Sequence, residues 1–469
     1  MPILRQAPSP TIGTPPRRST LKHSLLQRAV AITVMAAVAV SASAPSGHAQ
    51  NIPLIRDTEI EALLNDYAKP IFRAAGLGDN RIAVQIVRSD VFNAFVFDGR
   101  SVFIHTGALM QSPTPNQVIG VIAHETGHID GAHPADLRTS MQRDATLILL
   151  LRLIGIGAAI AGGGGAAVVA GDELVMRNWL AKRRAQEGAA DLAGLKYLNR
   201  TRQSGRGMLE TFERFREQEF APDAYKDPFV RSHPLASDRL AQLRQEAMRS
   251  PYFDTKDAPE LQLRHDLMRA KLSGYLEPPG TVFNRYPERD QSLPARYGRA
   301  IARFFRGGDG GVEAAVREVE SLIRERPTYP YFHELKGDLL MRAGRQKEAI
   351  PSLRQALKLT NGAPLVSVQL AMALVATQDA AVLTEAEGLL RRSLGADENA
   401  RAFRALADIA YRLGKQPEAT AAMAQAHMAE GNTKQAKIFA KRAKVGLAKG
   451  SPLWLRMDDI DRQKIEVDE

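Results

Sequence analysis

Two stretches in the first quarter of the chain alternate apolar and polar residues, the pattern of half-buried β-strands. They are residues 81–88 (RIAVQIVR) and 91–104 (VFNAFVFDGRSVFI). Asp98 and Gly99 divide the second stretch, and this dipeptide is a strong signal for a hairpin turn. The pattern therefore predicts a short β-sheet near the start of the folded chain.

Helical spacing of apolar residues follows this region. A helix is predicted to start near Thr114, which can cap it, with Pro115 in its first turn and Gln117 completing a capping box. A second helix is predicted over about 173–198, and a third after Ser237 as its N-cap. This part of the chain is therefore expected to be rich in helix.

The second half of the chain repeats itself with a period of 34 residues. Such a period, with small residues where paired helices cross, is typical of tetratricopeptide repeats. Stacked helix pairs of this kind form a curved surface that binds peptides or protein partners. A generic Ala-rich helical bundle is the alternative. The recurring positions are Gly310, Ala315, Val319, Leu322 and Pro327, then Gly344, Ala349, Leu353, Ala356 and Asn361, with partial copies from Ala407 and Gly431.

The first 49 residues have the layout of a cleaved export signal. Basic residues precede the apolar segment 29–44, which is too short to span a bilayer comfortably, and a small-x-small pattern ends at Ala49. Cleavage is expected near Ala49. The pair Arg17-Arg18 leaves both general secretion and twin-arginine export open.

Composition narrows the classes of function. The chain has 63 basic and 52 acidic residues, and five of the basic ones lie in the export signal, so the remainder carries about +6. That surface is mildly basic and does not predict nucleic-acid binding. The chain has no cysteine, which excludes disulfides and thiolate chemistry.

The motif His124-Glu125-Thr126-Gly127-His128 carries the strongest chemical signal. Residues four apart lie on one face of a helix, so both imidazoles can bind one metal. Glu125 is placed to take a proton from water bound to that metal. A five-residue match also arises by chance, but the apolar flanks of this motif indicate a buried helix.

A third ligand is predicted on the second helix. Glu187 would complete a site of two histidines and one glutamate that holds one zinc ion per chain and leaves a fourth position open. Asp191, four residues later, would accept a hydrogen bond from the far nitrogen of a ligand histidine. The small residues Gly188, Ala189 and Ala190 would let the two helices pack closely. An ordinary surface pair of acidic residues is the alternative.

His-Glu-x-x-His followed about 60 residues later by Glu-x-x-x-Asp resembles the HtpX and CAAX-prenyl-protease class of zinc metallopeptidases, the gluzincins. The resemblance extends to Asn93-Ala94-Phe95, Thr106-Gly107 and Ser232-His233-Pro234. With repeats after it, the chain is similar to the periplasmic BepA type of this class. The resemblance implies a periplasmic zinc endopeptidase acting on misfolded or stalled envelope proteins in outer-membrane protein quality control.

The predicted fold is mainly α, with a zincin-type metalloprotease domain of helices plus a small β-sheet, followed by an all-α tetratricopeptide solenoid. The expected parts are an export signal (1–49), the metalloprotease domain (50–275), a linker (276–295), the repeat domain (296–447) and a C-terminal tail (448–469).

Three further residues have roles that the sequence leaves open. His233 stabilises the oxyanion of the tetrahedral intermediate, fills the fourth position of the zinc and holds the enzyme latent, or is an ordinary loop histidine that makes one backbone hydrogen bond. Arg239 matches an arginine of the same family motif and either pairs with a site carboxylate or lies solvated on its helix. His133 lies five residues after His128, about 140° further round an ideal helix, so it is predicted to be structural and off the ligand face.

Substrate and partner contacts are predicted more broadly. Asn93, Phe95 and Phe97 would line a sheet edge to which an extended substrate adds a strand, or would belong to a plain core hairpin. The apolar, Gly-rich segment 147–171 is predicted to be a mobile lid or a peripheral membrane contact, against a buried helix with a flexible loop. Expected partners are unfolded or misassembled proteins and a protein bound by the repeats, including outer-membrane assembly machinery. A chaperone or assembly scaffold with latent proteolysis is the alternative function.

Overall fold

Helices make up most of the described chain, which also contains one four-stranded sheet. The fold is that of a computed structural model, which describes residues 53–78, 82–97, 99–136, 139–140, 166–218, 222, 226–234, 237–308, 310–396 and 398–463. The predicted export signal and the part of segment 147–171 before residue 166 lie outside the described residues. Within the described ranges, no helix has both the length and the apolar character needed to cross a membrane.

The sheet has the order β1-β2-β4-β3, formed by β1 (Leu54–Ile55), β2 (Ala83–Val87), β3 (Ala94–Val96) and β4 (Ser101–His105). Strands β2 and β4 are parallel, whereas the β1–β2 and β3–β4 pairs are antiparallel. The predicted hairpin is confirmed, and Gly99 in its turn has φ 71°. Strand β3 is last in the strand order and therefore forms an edge of the sheet.

The first part of the chain packs its helices against this sheet. Its core contains fully buried side chains such as Leu64 and Ile122 from two helices and Ile86 and Ile104 from two strands. The helices are α1 (Thr58–Ala74), α2 (Thr106–Gln111), α3 (Pro115–Asp130), α4 (Ala166–Arg200), α5 (Arg206–Glu213), α6 (Pro228–Ser232), α7 (Ser237–Met248) and α8 (Pro259–Leu276).

Helix α3 begins where the sequence predicts, but it is capped differently. Thr114 is the N-cap residue, yet its side chain makes no capping hydrogen bond. Instead, the carboxylate of Asp257 accepts from the backbone N–H of Asn116 at 3.0 Å, and the side chain of Gln117 donates to Glu210 at 3.1 Å. The predicted capping box is therefore wrong, because a residue distant in sequence supplies the cap.

Helices α3 and α4 approach each other closely at a glycine. A Cβ added to Gly127 would lie 2.7 Å from the backbone oxygen of Ala190. Ala190 is fully buried, whereas Gly188 has no described atom within 4 Å of where its Cβ would be. Of the small residues on α4, Ala190 thus makes the predicted close contact and Gly188 does not.

The second part is a stack of paired helices, as the 34-residue period predicts. Gly310 and Gly344, one period apart, both adopt the left-handed conformation before a helix (φ 74° and 73°). A Cβ on Gly337 would lie 2.5 Å from Leu353, so a small residue does stand where two helices cross. The helices are α9 (Pro279–Arg285), α10 (Leu293–Arg306), α11 (Gly311–Glu325), α12 (Pro330–Arg342), α13 (Gln346–Leu359), α14 (Pro364–Ala376), α15 (Leu383–Ala396), α16 (Ala400–Arg412), α17 (Gln416–Ala429), α18 (Thr433–Gly446) and α19 (Pro452–Arg462).

Two predicted irregular segments contain helices. Helix α9 lies inside the predicted linker, and α19 lies inside the predicted tail and buries Met457 and Ile460 against α18. The described residues all belong to one compact unit, so the domain boundaries remain predictions.

A buried polar cluster joins the two parts. We define the lysine cluster as Lys271 on α8 with Asp57, Glu59 and Glu334. The Nζ atom of Lys271 lies 2.8 Å from Asp57 and 3.2 Å from Glu59, and 4.0 Å from Glu334 on α12. Tyr297 on α10 donates its hydroxyl to Glu59 at 2.8 Å. The N-terminus of α1 is therefore tied to the first repeat helices through buried charges.

Candidate metal centre

Helix α3 presents two histidines on one buried face. The residues His124 and His128 are 0% and 7% exposed, and their Nε2 atoms lie 3.1 Å apart. The four-residue spacing explains this, because one helical turn brings both rings to the same side. Both Nε2 atoms face the same small volume, as the sequence predicts.

Helix α4 brings a carboxylate to the same volume. The Oε2 atom of Glu187 lies 3.4 Å from His124 Nε2, and its Oε1 atom lies 3.5 Å from His128 Nε2. Its side chain is buried, so the predicted surface alternative does not apply. The close contact between helices α3 and α4 at Gly127 brings the carboxylate of Glu187 near the two histidines.

A fourth donor comes from the turn after α6. His233 is buried, and its Nδ1 lies 3.1 Å from His124 Nε2 and 3.1 Å from Glu187 Oε2. Its Nε2 lies 3.2 Å from the backbone oxygen of Ala94, to which it can donate. The donor atoms of His124, His128, Glu187 and His233 all lie within 4.8 Å of one another, so these four residues can hold one metal ion.

The electrostatics of His124 and Glu187 fit a bound cation. Burial lowers the pKa of His124, but hydrogen bonds with Asp191 and Glu187 outweigh burial and raise that pKa to about 9. Burial raises the pKa of Glu187, yet His233 and His124 together bring it well below its usual range. The carboxylates thus favour a positive charge at the point where the imidazole nitrogens converge.

Glu125 lies beside these donors without being one of them. It is fully buried, and its carboxylate oxygens have no hydrogen-bond partner among the described residues. The nearest basic atom is His233 Nε2, 3.3 Å from Oε1. Burial raises the pKa of Glu125. A buried carboxylate that accepts no hydrogen bond and lies beside a metal site is well placed to bind a reacting water molecule, so the role of Glu125 as base stays a prediction that this geometry supports.

Asp191 and Arg239 form hydrogen bonds and ion pairs with the metal ligands. Asp191 Oδ1 lies 2.9 Å from His124 Nδ1. Arg239 donates hydrogen bonds to the same carboxylate from Nε and Nη2. Arg239 also lies 3.2 Å from Glu187 Oε2, and its side chain is buried. Burial would raise the pKa of Asp191, but Arg239 and His124 outweigh it and lower that pKa. Arg239 therefore pairs with site carboxylates and is not solvated.

His133 is closer to the site than the sequence analysis predicts. Its Nδ1 lies 2.9 Å from Nδ1 of His128. His133 is not among the four metal donors, in line with the prediction, but its contact with His128 is not predicted; that contact arises because α3 ends at Asp130 and Ala132 adopts φ 52°, which turns the chain back. Gly131 was the available signal, since glycine commonly follows the last residue of a helix.

The predicted substrate strand borders the site. Ser232 donates its hydroxyl to the side-chain oxygen of Asn93 at 3.2 Å, next to the His233–Ala94 contact. Phe95 stacks on Phe103 at 5.0 Å between ring centroids, and Phe97 is 63% exposed. The structure thus brings edge strand β3 to the metal centre, and substrate binding there stays a prediction.

The fold and the site together define a metalloprotease. Residues 55–247 match the model of peptidase family M48, and this match to a metalloprotease family implies a metal cofactor. The matched range contains all four donor residues and Glu125.

The chain is also similar to curated proteins along most of its length. It is 23% identical over 412 residues to the beta-barrel assembly-enhancing protease of Escherichia coli (strain K12), covering 87% of this chain and 83% of that protein. The protein of that name from Yersinia pestis is 23% identical over 432 residues, which cover 87% and 85% of the two chains. A putative beta-barrel assembly-enhancing protease of Vibrio cholerae is 25% identical over 224 residues, 47% of this chain and 45% of that protein.

Among solved structures, a structure titled MamA MSR-1 C2 covers 38% of this chain at 18% identity, with a TM-score of 0.30. That score is too low to support a structural argument.

Proposed function

We propose that the protein is a zinc-dependent endopeptidase that cleaves misfolded or stalled proteins of the bacterial envelope. The observation that carries this proposal is the convergence of His124, His128 and Glu187 beside the buried carboxylate of Glu125, which has no hydrogen-bond partner among the described residues. Imidazole and carboxylate donors in a buried, closely spaced set suit zinc, which is commonly held by two histidines and a glutamate in hydrolases.

Each residue has a defined part in peptide hydrolysis. His124 and His128 bind as neutral imidazoles through Nε2, and Glu187 binds as a carboxylate. When bound, zinc lowers the pKa of a water molecule and polarises the scissile carbonyl. Glu125 accepts the proton of the attacking water and can deliver it to the leaving nitrogen. Because its burial raises its pKa, the carboxylate is adapted to holding that proton transiently.

His233 is proposed to be a resting ligand. Its Nδ1 lies among the other donor atoms, while Nε2 can donate to the carbonyl of Ala94. A ligand histidine typically donates its other N–H to a carbonyl or carboxylate, so this arrangement fits ligation. A histidine in the fourth position excludes water and substrate, which makes the enzyme latent. Oxyanion stabilisation is the competing role and requires His233 to stay near the site while leaving that position open.

Extended substrate is proposed to pair with edge strand β3. Such strand addition uses backbone groups on the edge, and the carbonyl of Ala94 is one of them. In this structure, Nε2 of His233 lies 3.2 Å from that carbonyl oxygen and can donate a hydrogen bond to it. Substrate binding and release of His233 are therefore expected to be linked, with Asn93, Phe95 and Phe97 contacting the substrate.

The place of action follows from the similar proteins. Two of the relatives described above carry the name beta-barrel assembly-enhancing protease, a third is named a putative one, and the predicted export signal fits a periplasmic protein. We therefore propose a periplasmic role in the assembly or clearance of outer-membrane β-barrel proteins, with the repeats binding an assembly partner. Peripheral membrane contact through residues 147–171 remains a prediction.

A chaperone or assembly scaffold is the second candidate function. The observation that favours it is His233 among the metal donors, since a filled site would keep proteolysis low while the repeats bind partners.

Metal analysis and a digestion assay test the proposed function. The wild-type chain without residues 1–49 is expected to hold about one zinc ion, and its His233→Ala variant is expected to digest casein. Adding Glu125→Gln to that variant should retain zinc and abolish digestion, because an amide cannot accept the proton of water. Digestion that persists with Glu125→Gln contradicts the mechanism, and a wild-type chain that binds no zinc contradicts the proposal as a whole.

A further inference from the structure

One imidazole beyond the four donors reaches the metal centre. His133 Nδ1 lies 2.9 Å from His128 Nδ1, with the ring centroids 5.0 Å apart and the planes at 75°. We propose that His133 is a positioning residue: its Nδ1 accepts the Nδ1–H of His128 and holds that ring with Nε2 directed at the metal. This inference rests on the metal centre of the proposed function.

The contact fixes the proton on each ring. Nε2 of His128 lies 3.1 Å from His124 Nε2 and 3.5 Å from Glu187 Oε1, so Nε2 is the atom that faces the metal. A ligand nitrogen needs a free lone pair, so the proton of His128 must sit on Nδ1. His133 Nδ1 must then be the acceptor, and the proton of His133 sits on its own Nε2.

The backbone after α3 is shaped to make this contact. Helix α3 ends at Asp130, and Ala132 has φ 52°. A non-glycine residue in the left-handed region is unfavourable, and such strain concentrates at functional sites. The turn folds His133 over Gly131, so closely that a Cβ on Gly131 would collide with the imidazole Nε2 of His133. The chain therefore adopts an uncommon conformation whose result is the histidine pair.

The two helix ligands are thus oriented by different groups. His124 donates Nδ1–H to the carboxylate of Asp191, whereas His128 donates to a neutral imidazole. An imidazole acceptor adds no negative charge to a site whose buried groups already include three carboxylates. Those carboxylates belong to Glu125, Glu187 and Asp191.

Two substitutions at position 133 separate the acceptor from the bulk of the ring. His133→Phe keeps a ring of similar size but has no acceptor, while His133→Asn can place its amide oxygen near the position of Nδ1. We expect His133→Phe to bind zinc roughly 10- to 100-fold more weakly than wild type in competition with a chelator, the usual cost of losing such a partner. His133→Asn is expected to recover most of that affinity.

A second pair of variants leaves His133 in place. Gly131→Ala should displace the ring by steric collision and weaken zinc binding as His133→Phe does. Ala132→Gly relaxes the left-handed residue and should leave zinc affinity unchanged.

Melting temperatures of the zinc-free variants complete the test, and we expect His133→Phe and His133→Asn to match wild type there. Equal zinc affinity in His133→Phe and wild type overturns the inference. Equal losses of zinc affinity and of melting temperature in His133→Phe and His133→Asn also overturn it, because they indicate a packing role. A wild-type chain that binds no zinc would instead overturn the proposed function.

Discussion

Asp191 Oδ1 lies 2.9 Å from Nδ1 of His124, and this contact joins a metal ligand on one helix to a carboxylate on the next. The guanidinium of Arg239 also donates to this carboxylate, which restricts its rotation. One turn before Asp191 on the same helix, Glu187 faces the metal volume directly. A single helix therefore supplies both a ligand and the group that orients another ligand.

The first prediction concerns this orienting carboxylate. Asp191→Ala should weaken zinc binding roughly 10- to 100-fold, because His124 loses the acceptor that fixes its ring. It should also lower the free energy of unfolding by about 3–5 kcal/mol, because Arg239 is left buried with a charge less well paired. Chelator competition and chemical denaturation measure the two effects.

Asp66→Ala is a matched control for that change. Asp66 pairs with Arg264 at 2.7 Å, but its side chain is 53% exposed. We expect only a small loss of stability, at most about 1 kcal/mol, and no change in zinc binding. If Asp191→Ala behaves like Asp66→Ala, Asp191 does not orient His124.

The second prediction concerns latency. If His233 fills the fourth position at rest, His233→Ala should raise the initial rate of casein digestion above that of wild type. Oxyanion stabilisation gives the opposite result, a fall of about 100-fold or more. Initial rates of both proteins on one unfolded substrate decide between these roles, and an unchanged rate would remove His233 from either.

The third prediction concerns the close helix contact. Gly127→Ala should destabilise the fold by about 1–3 kcal/mol, because its Cβ would lie 2.7 Å from the backbone oxygen of Ala190 and the helices must move apart. Gly188→Ala on α4 meets no described atom and should stabilise by about 0.5–1 kcal/mol through helix propensity. Denaturation of the zinc-free proteins compares the pair, and equal effects of both changes would contradict close packing at Gly127.

The fourth prediction concerns the pH dependence of stability. Burial raises the pKa of Glu334 from 4.5 to about 7, with Lys271 opposing the rise and Asp57 adding to it. The folded state therefore binds a proton more tightly than the unfolded state. Stability should fall, by about 3 kcal/mol at most, as the pH rises from about 4.5 through about 7.

Glu334→Gln removes this titration, so its stability should depend less on pH than that of wild type over the same window. Glu313→Gln, at a side chain that is 56% exposed, is the control and should keep the wild-type slope. Parallel pH profiles for wild type and Glu334→Gln would show that Glu334 is ionised in the folded protein throughout.

The sequence predicted those features that depend on local spacing. His124 and His128 are one helical turn apart, and the repeats show in residues such as Gly310 and Gly344 that recur at a fixed offset. The sequence alone does not place His233 among the donors. His233 lies in a turn 109 residues away from His124, so its position depends on tertiary packing.

Other features were missed for different physical reasons. The contact of His133 with His128 does not follow from ideal helix geometry, because the helix ends at Asp130 and the chain turns after Gly131. The lysine cluster gives no local pattern at all, since its member Glu334 is distant in sequence from Asp57 and Glu59. Glu334 also accepts a hydrogen bond at 3.0 Å from Thr58, the residue between those two and 276 residues before it.

The lysine cluster has a consequence for the evolution of this architecture. Glu59 belongs to the peptidase part, but both tyrosines that donate to it, Tyr297 and Tyr329, belong to the repeats. Recombination that exchanged the repeat array for another would leave Glu59 and Lys271 buried with mismatched neighbours. The two parts are therefore expected to be inherited as a pair, with substitutions at the junction compensating one another across it, rather than shuffled as interchangeable modules.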